Sequence, residues 1–379
     1  MNRAQWVELA SEANRFDLMP LVYFRLGRSQ ANLIPDYLCQ EFEKKWFIST
    51  SANLLVHRQL QIVLRELIEV GIQVIVLKGA YLAYKVYRDP ALRLMGDVDI
   101  LVRREQLAKT VEVLDRLGYQ TAKPFWIEDE CAVRHHLPAF TQPGQPIIEV
   151  HWSLIAPTNK VKIDLDGLWK RAMPLQIAGI PVFGLSPVDL VAHLSLHACR
   201  DRFVFGLRAL SDIQETLTFF ENSFDWSSLR QRAEEWQIER CIFLTLFLAA
   251  RHLGVKVPEW FLNALRPVDF APNVSTWAME QVFEGRIIGM PPAITQFQGR
   301  KSFGAKVTAL VRGFFPAPAM IRKKYALPPH SWKVYLFYIY HGIDLLRLHG
   351  WSAVQLWRGN PGVLQPVQRM TALGEWLFP

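Results

Sequence analysis

The sequence contains little cysteine and no long hydrophobic run. Its four cysteines are scattered and include no C-x-x-C pair, which argues against both a zinc ribbon and a disulfide framework. They are Cys39, Cys131, Cys199 and Cys241. The apolar run Cys241–Ala250 lies between two arginines and is much shorter than the roughly 20 residues that a membrane span needs. No apolar stretch of signal-peptide length follows Met1, so we expect a cytoplasmic protein without a membrane span.

Acidic residues are missing from one long segment near the C-terminus, residues 285–343. The segment contains nine bases, whereas the formal net charge of the whole chain is +8. The bases are Arg286, Arg300, Lys301, Lys306, Arg312, Arg322, Lys323, Lys324 and Lys333. Such a segment can attract nucleic acid, an anionic membrane surface or a polyanionic substrate. It can also form a solvated surface whose long side chains cover apolar neighbours, and the sequence leaves both interpretations open.

The chain is long enough for two or three hydrophobic cores, and its 50% hydrophobic content excludes global disorder. Apolar residues at helical spacing predict helices over Trp6–Arg28 and Pro35–Ile68. Gly71 is a typical residue to end the second helix. We therefore predict an N-terminal helical region (1–70), a core (71–185) and a C-terminal helical domain (186–379) that contains the basic segment 285–343.

A candidate phosphate site lies at the start of the predicted core. The β-rich run Ile72–Leu77 is followed by Lys78 and Gly79, and a helix is predicted to start near Ala80. Free amides at a helix N-terminus bind phosphate, and glycine lets a ligand approach the backbone. Lys78 either contacts phosphate or pairs with a nearby acid.

A candidate metal site lies on the next predicted strand, Leu94–Val102. Because side chains alternate along a strand, Asp97 and Asp99 must project to the same side. Like charges this close raise each other's pKa unless a cation neutralises them, and carboxylate oxygens favour Mg²⁺ or Mn²⁺. Arg88 and Arg93 flank the strand and can clamp phosphate oxygens. A divalent metal and a triphosphate would therefore meet in one crevice.

The predicted core continues with an amphipathic helix, Arg104–Leu117. Two short strands are predicted at Cys131–Val133 and Ala139–Thr141, and a Pro-Gly turn leads into the strand Ile147–Leu154. We interpret Asp164–Leu185 as a short connection to the helical domain.

The strand at 147–154 places a third acid where it can join the aspartates. Glu149 and His151 share one face of that strand. Glu149 can therefore face Asp97 and Asp99, with His151 two residues beyond it.

Three stretches carry these candidate residues: Leu77-Lys78-Gly79, then Tyr87-Arg88-Asp89-Pro90-Ala91-Leu92-Arg93-Leu94-Met95-Gly96-Asp97-Val98-Asp99-Ile100-Leu101-Val102, and later Ile148-Glu149-Val150-His151-Trp152. Together they resemble the signature of the uncharacterised nucleotidyltransferase family within the polymerase-beta-like nucleotidyltransferase superfamily. The resemblance implies that Glu149 is the third metal-binding carboxylate beside Asp97 and Asp99. In one departure, this chain has Gly79-Ala80 where the superfamily commonly has Gly-Gly or Gly-Ser.

The C-terminal domain is predicted to be helical from Ser186 onward. Its predicted helices are Val188–Cys199, Leu207–Phe220, Trp226–Glu235, Ile238–Leu253 and Glu259–Leu265, with further helices near Gly304–Phe314 and at Val334–Leu348.

Some side chains of this domain have two interpretations. His193 and His197 have the spacing of a zinc pair, but no third ligand is evident and we favour packing. Asp212 is predicted to pair with Arg208 on the same helix face. The aromatic stretch Trp332–Tyr340 could stack bases, although core packing is the commoner role.

These observations predict an α+β fold with a small mixed sheet followed by a larger all-α domain. We expect Mg²⁺ or Mn²⁺ as cofactor, an NTP as substrate and NMP transfer to an acceptor hydroxyl with release of pyrophosphate. Asp97, Asp99 and Glu149 would bind metal and act in catalysis, and nucleotide would contact Lys78, Gly79, Ala80, Arg88 and Arg93. The acceptor could be a small molecule, a protein or RNA. Toxin-like nucleotidylation of a protein or tRNA, and a catalytically idle regulatory or binding module, remain alternatives.

Overall fold

A computed structural model describes residues 1–27, 33–87, 89, 91–204, 206–284, 315–328, 331–357 and 361–379. The chain begins with helices α1 (Arg3–Arg15), α2 (Met19–Gly27) and α3 (Asp36–Glu69). The single helix predicted over Trp6–Arg28 is wrong, because Asp17 adopts a left-handed backbone conformation (φ 56°) between α1 and α2. The helix predicted over Pro35–Ile68 is confirmed by α3.

The described strands form one mixed sheet. They are β1 (Ile75–Val76), β2 (Asp97–Leu101), β3 (Gln120–Thr121), β4 (Phe140–Thr141), β5 (Ile147–His151), β6 (Met173–Ile177) and β7 (Ile180–Gly184). Their order is β3-β4-β5-β2-β1-β7-β6. Strand β1 runs antiparallel to β2 and parallel to β7, while β2 runs parallel to β5. With the helices that follow, this sheet confirms the predicted α+β class.

Four helices accompany the sheet in the middle of the chain. They are α4 (Lys78–Tyr81), which continues as a π-helical turn over Leu82–Val86, α5 (Leu107–Arg116), α6 (Ile127–Val133) and α7 (Leu165–Arg171). The predicted strand Cys131–Val133 is wrong, since these residues form the end of α6. A short apolar run has the same composition in a buried helix as in a strand, so periodicity cannot separate the two.

The stretch Asp164–Leu185 is not a simple connection. Besides α7 it contains the hairpin β6–β7, which adds two strands to the sheet beside β1. Ala178 and Gly179 turn the hairpin with φ of 54° and 76°, the pair of positive values that a tight two-residue hairpin turn needs. Proline within each strand hid this pattern, because proline argues against a strand.

The C-terminal part is helical, as predicted. Its described helices are α8 (Pro187–Arg200), α9 (Leu207–Phe219), α10 (Trp226–Trp236), α11 (Glu239–Leu253), α12 (Glu259–Leu265), α13 (Pro272–Glu284), α14 (Pro318–Tyr325), α15 (Val334–Trp357) and α16 (Pro361–Leu377). The predicted helices over 188–265 are confirmed by α8 to α12. The helix predicted near Gly304–Phe314 lies outside the described residues. Helix α15 extends beyond the predicted Val334–Leu348.

The sheet and the following helices share one hydrophobic core. A continuous buried cluster includes Val76 and Ile100 from the sheet and Leu196 and Phe243 from the helices. The helical part is therefore packed against the sheet and can contribute side chains to a site on one face of the sheet. Among the described residues, no helix combines the length and the apolar character that crossing a bilayer requires.

Candidate active site

Three acids line one face of the sheet where β2 and β5 run side by side. Asp99 is the register partner of Glu149, and Asp97 lies two residues earlier on β2. Because both strands alternate in phase, these three side chains share a face, as the sequence predicted. Asp97 is exposed, Glu149 is half-buried and Asp99 is buried. The carboxylates thus form a gradient of depth, with Asp97 at the opening and Asp99 at the floor.

Asp99 is held by two cationic or proton-donating side chains. Lys78 Nζ donates to Asp99 Oδ1 at 3.0 Å, and His151 Nε2 lies 2.8 Å from the same oxygen. Burial by itself would raise the pKa of Asp99, but Lys78 and then His151 outweigh it and hold that pKa well below its ordinary value. Asp99 is therefore an ionised carboxylate in the interior.

The other two acids respond differently to the same surroundings. Asp97 is open to solvent on one side, yet the surrounding protein partly desolvates it, and this desolvation, then the charges of Asp99 and Glu149, raises the pKa of Asp97 above its ordinary value. The pKa of Glu149 is lowered, chiefly by the contact of its Oε2 with His151 Nε2 at 3.5 Å, against the effect of burial. The ionised form of Asp97 is thus disfavoured beside the other two carboxylates, and a bound cation would remove this repulsion.

A metal ion can be held within this group. Ligand atoms of Asp99, Glu149 and His151 all lie within 4.8 Å of one another. Asp97 does not belong to that set, although it is the neighbouring acid on the same face. Carboxylate oxygens suit Mg²⁺ and Mn²⁺, so the donor chemistry fits the predicted cofactors. The contribution of His151 was missed, although its place on the face of Glu149 was the signal that could have shown it.

The sequence left two alternatives for Lys78, contact with phosphate or pairing with a nearby acid. Lys78 begins α4, and its amine bonds to Asp99, which is the acid pairing that the sequence had left open.

The structure gives a steric reason why position 79 is a glycine, and the sequence alone did not show it. A Cβ there would lie 3.1 Å from Arg93 Nη1, tighter than ordinary contacts allow. Gly79 therefore leaves room for the Arg93 guanidinium against the backbone. Ala80, the next residue of α4, is fully buried.

Arg93 is fixed by the helical part of the chain. Its Nε and Nη2 donate to the two carboxylate oxygens of Asp212 on α9, each at 2.8 Å, and Nη1 donates to Leu94 O at 3.2 Å. The ion pair predicted between Asp212 and Arg208 is wrong, since Arg208 bonds to Asp17 instead. Three of the five N–H groups of Arg93 are accounted for by these bonds, which leaves two for a ligand.

Helix α3 supports the loop that leads into β2. Asn53 donates to Arg93 O at 2.7 Å and accepts from the Met95 amide at 3.0 Å. Ser49 donates to Ala91 O at 2.7 Å. These bonds fix the position of Arg93 relative to the aspartates. Arg88, the other arginine predicted to bind nucleotide, lies outside the described residues.

Histidines surround the inner end of the site. The rings of His135, His136 and His151 lie within 5.4 Å of one another, centroid to centroid. His193 and His197 lie on α8, where His193 is buried and His197 is partly buried, and desolvation by the surrounding protein holds the pKa of each well below its ordinary value. Within the described part of the chain, the one group suited to a metal is Asp99, Glu149 and His151. The rings of the α8 pair lie edge to face with their centroids 6.4 Å apart, and His197 Nε2 lies 3.6 Å from Asp201 Oδ2.

Three bases of the segment 285–343 form ion pairs within the chain. Helix α14 packs on α6, where Arg322 binds Asp129 and Lys323 binds Glu130. Lys324 pairs with Asp344 at 3.0 Å. Both acids on α6 are buried, so Arg322 and Lys323 attach α14 to the core. Arg322 and Lys323 therefore belong neither to a solvated surface nor to a free polyanion-binding surface, the two interpretations that the sequence left open.

Comparison with known proteins identifies the family. The family model described as an uncharacterised nucleotidyltransferase matches residues 2–254, more than half of the chain, and the chain therefore belongs to that family. A crystal structure of an antigenic nucleotidyltransferase-like protein from Paracoccidioides brasiliensis is similar at 16% identity, with 50% of this chain and 91% of that chain covered and a TM-score of 0.30. No curated protein matches the chain.

Proposed function

We propose that this member of the uncharacterised nucleotidyltransferase family is a divalent-metal-dependent enzyme that transfers an NMP from an NTP to an acceptor hydroxyl. The observation that carries the proposal is the pairing of Asp99 with Glu149 on adjacent parallel strands, with Asp97 next to them at the opening. Three carboxylates gathered on one apolar strand pair are costly unless a cation is bound there.

Asp97, Asp99 and Glu149 would hold the metal, Mg²⁺ or Mn²⁺. Bound there, it would offset charge on the triphosphate and lower the pKa of the acceptor hydroxyl. The acceptor hydroxyl would lose its proton to water as its oxygen forms a bond to the α-phosphorus, and the bond from that phosphorus to the oxygen shared with the β-phosphate would break, so that pyrophosphate leaves.

The side chains around the acids supply positioning and charge. The two remaining N–H groups of Arg93 can donate to phosphate oxygens beside Gly79, since Asp212 holds the guanidinium against that glycine. The positive charge of Lys78 at Asp99 adds to the electrostatic field at the floor of the site. Catalysis would rest on orientation and on charge placed before the reaction begins.

The class of acceptor can be identified by following the label of the NTP's α-phosphate into an acceptor. We expect that protein incubated with each α-labelled NTP, Mg²⁺ or Mn²⁺ and a cell extract labels one fraction: small molecules, protein or RNA. The double variant Asp97→Asn with Asp99→Asn is the matched control, because it removes two charges and keeps the side-chain volume. Equal labelling by the control would place the chemistry elsewhere and refute the proposal. Label in RNA or protein would identify the toxin-like alternative.

A further inference from the structure

The two oxygens of the Asp99 carboxylate have different surroundings. Oδ1 receives Lys78 Nζ at 3.0 Å and His151 Nε2 at 2.8 Å. A carboxylate oxygen has two lone-pair sites, so these two contacts fill Oδ1. Among the described residues, no side chain forms a hydrogen bond with Oδ2. The residues that surround Asp99 therefore leave one oxygen of the buried carboxylate for a ligand.

The position of the imidazole proton follows from its partners. Asp99 Oδ1 already accepts a hydrogen bond from Lys78, so the contact of 2.8 Å between this oxygen and His151 Nε2 is a hydrogen bond in the tautomer that has its proton on Nε2. The same Nε2 also lies 3.5 Å from Glu149 Oε2. His151 belongs to β5 and Asp99 to β2, and both side chains are almost wholly buried. A protonated nitrogen cannot ligate a metal, yet it can fix the carboxylates that do.

We propose that His151 is a positioning residue, which with Lys78 occupies Oδ1 of Asp99, directs Oδ2 toward the metal and sets the spacing between Asp99 and Glu149. The proposal rests on the proposed function, since it concerns the same metal site. It assigns to His151 an indirect role, although its Nε2 lies near enough to both acids to be mistaken for a ligand. Hydrogen bonds to metal-binding carboxylates commonly change metal affinity by 10- to 100-fold.

The test is a titration of the full-length protein with Mn²⁺ alone, followed by electron paramagnetic resonance. We expect His151→Leu to weaken Mn²⁺ binding by about 10- to 100-fold. His151→Gln should restore most of the affinity, because its amide nitrogen can reach the place of Nε2 and still donate to Asp99. His136→Asn is the matched control. It removes a ring that touches His151 and keeps a donor for Leu137 O, which His136 Nδ1 now contacts at 2.7 Å. This control should bind Mn²⁺ as the wild type does.

A spectroscopic signature separates positioning from ligation. The Mn²⁺ complex of the wild type should show no nitrogen hyperfine coupling from a directly bound imidazole. A strong coupling that disappears in His151→Leu would make His151 a ligand and overturn the proposal. Equal affinity in wild type and a folded His151→Leu would also overturn it. Where His151→Leu does not fold, His151→Gln decides: a folded Gln variant that binds at least tenfold more weakly than the wild type refutes the donor role.

Failure of the proposed function gives a different result. A wild type that binds no Mn²⁺ would refute the metal site as a whole, and the role of His151 with it. A wild type that loses binding on Asp99→Asn but not on His151→Leu would refute the positioning role alone.

Discussion

Arg93 and Asp212 form a buried ion pair with two bonds of 2.8 Å, although 119 residues separate them in the sequence. Arg93 belongs to the loop before β2, and Asp212 to α9. Tyr87 adds a third bond, from its hydroxyl to Asp212 Oδ1 at 2.9 Å. The helical part of the chain therefore builds one wall of the candidate site.

We predict that Asp212→Ala lowers the free energy of unfolding by about 3–5 kcal/mol, because it leaves the Arg93 charge buried without a partner. Urea denaturation followed by circular dichroism measures the change. Lys256→Ala is the control, since Lys256 and Glu221 form an exposed pair and such pairs contribute little. A loss no larger than that of the control would mean that water replaces Asp212 around the guanidinium.

The acidic face should bind metal and nucleotide together. We predict that Mg²⁺ or Mn²⁺ with a non-hydrolysable NTP raises the melting temperature of the wild type, because a ligand that binds only the folded state stabilises it. Asp97→Asn with Asp99→Asn should abolish the metal-dependent part of this shift. The variant should also melt cooperatively without ligand, which shows that it is folded. An equal metal-dependent shift in both proteins would mean that the metal binds elsewhere.

Glu149 should contribute mainly to the chemical step. It faces Asp99 across two paired strands and is half-buried; in the proposed function it would help the metal lower the pKa of the acceptor hydroxyl, which matters mostly in the transition state. We predict that Glu149→Gln keeps NTP affinity within a few-fold of the wild type while turnover falls by roughly 100-fold or more. Binding by calorimetry and pyrophosphate release measure the two effects. Unchanged turnover would make Glu149 a structural residue.

The acidic cluster could be predicted because its geometry is local. Alternation along β2 requires Asp97 and Asp99 to share a face, and the same rule places Glu149 and His151 together on β5. The register between the two strands depends on the whole sheet and is known only from the structure. Their proximity was therefore an expectation until the strand pairing was seen.

The partners of the charged residues could not be predicted in the same way. Asp212 was assigned to Arg208, four residues away, because for a residue on a predicted helix the sequence shows only the neighbours along that helix. Its real partner is Arg93, brought near by packing between α9 and the turn that follows α4. The β6–β7 hairpin was missed for a related reason: neighbouring strands and a tight Ala-Gly turn outweighed the unfavourable prolines.

The main role of Arg322 and Lys323 should be to attach α14 to α6, not to bind a polyanion. Asp129 and Glu130 lie under this helix and are buried, with Arg322 and Lys323 as their partners. We predict that Arg322→Glu with Lys323→Glu detaches α14 from α6, because like charges would then face each other without solvent. Limited proteolysis within 315–328 should become about tenfold faster, as expected for a locally opened segment.

Two comparisons make this last prediction specific. Adding Asp129→Arg with Glu130→Lys reverses both charged partners and should return the cleavage rate toward that of the wild type. Lys333→Glu, at an exposed position of the same acid-free segment, should leave the rate unchanged. If the Arg322 and Lys323 reversal instead weakens RNA binding and flattens its salt dependence while cleavage stays slow, these bases form a recognition surface and the attachment role is wrong.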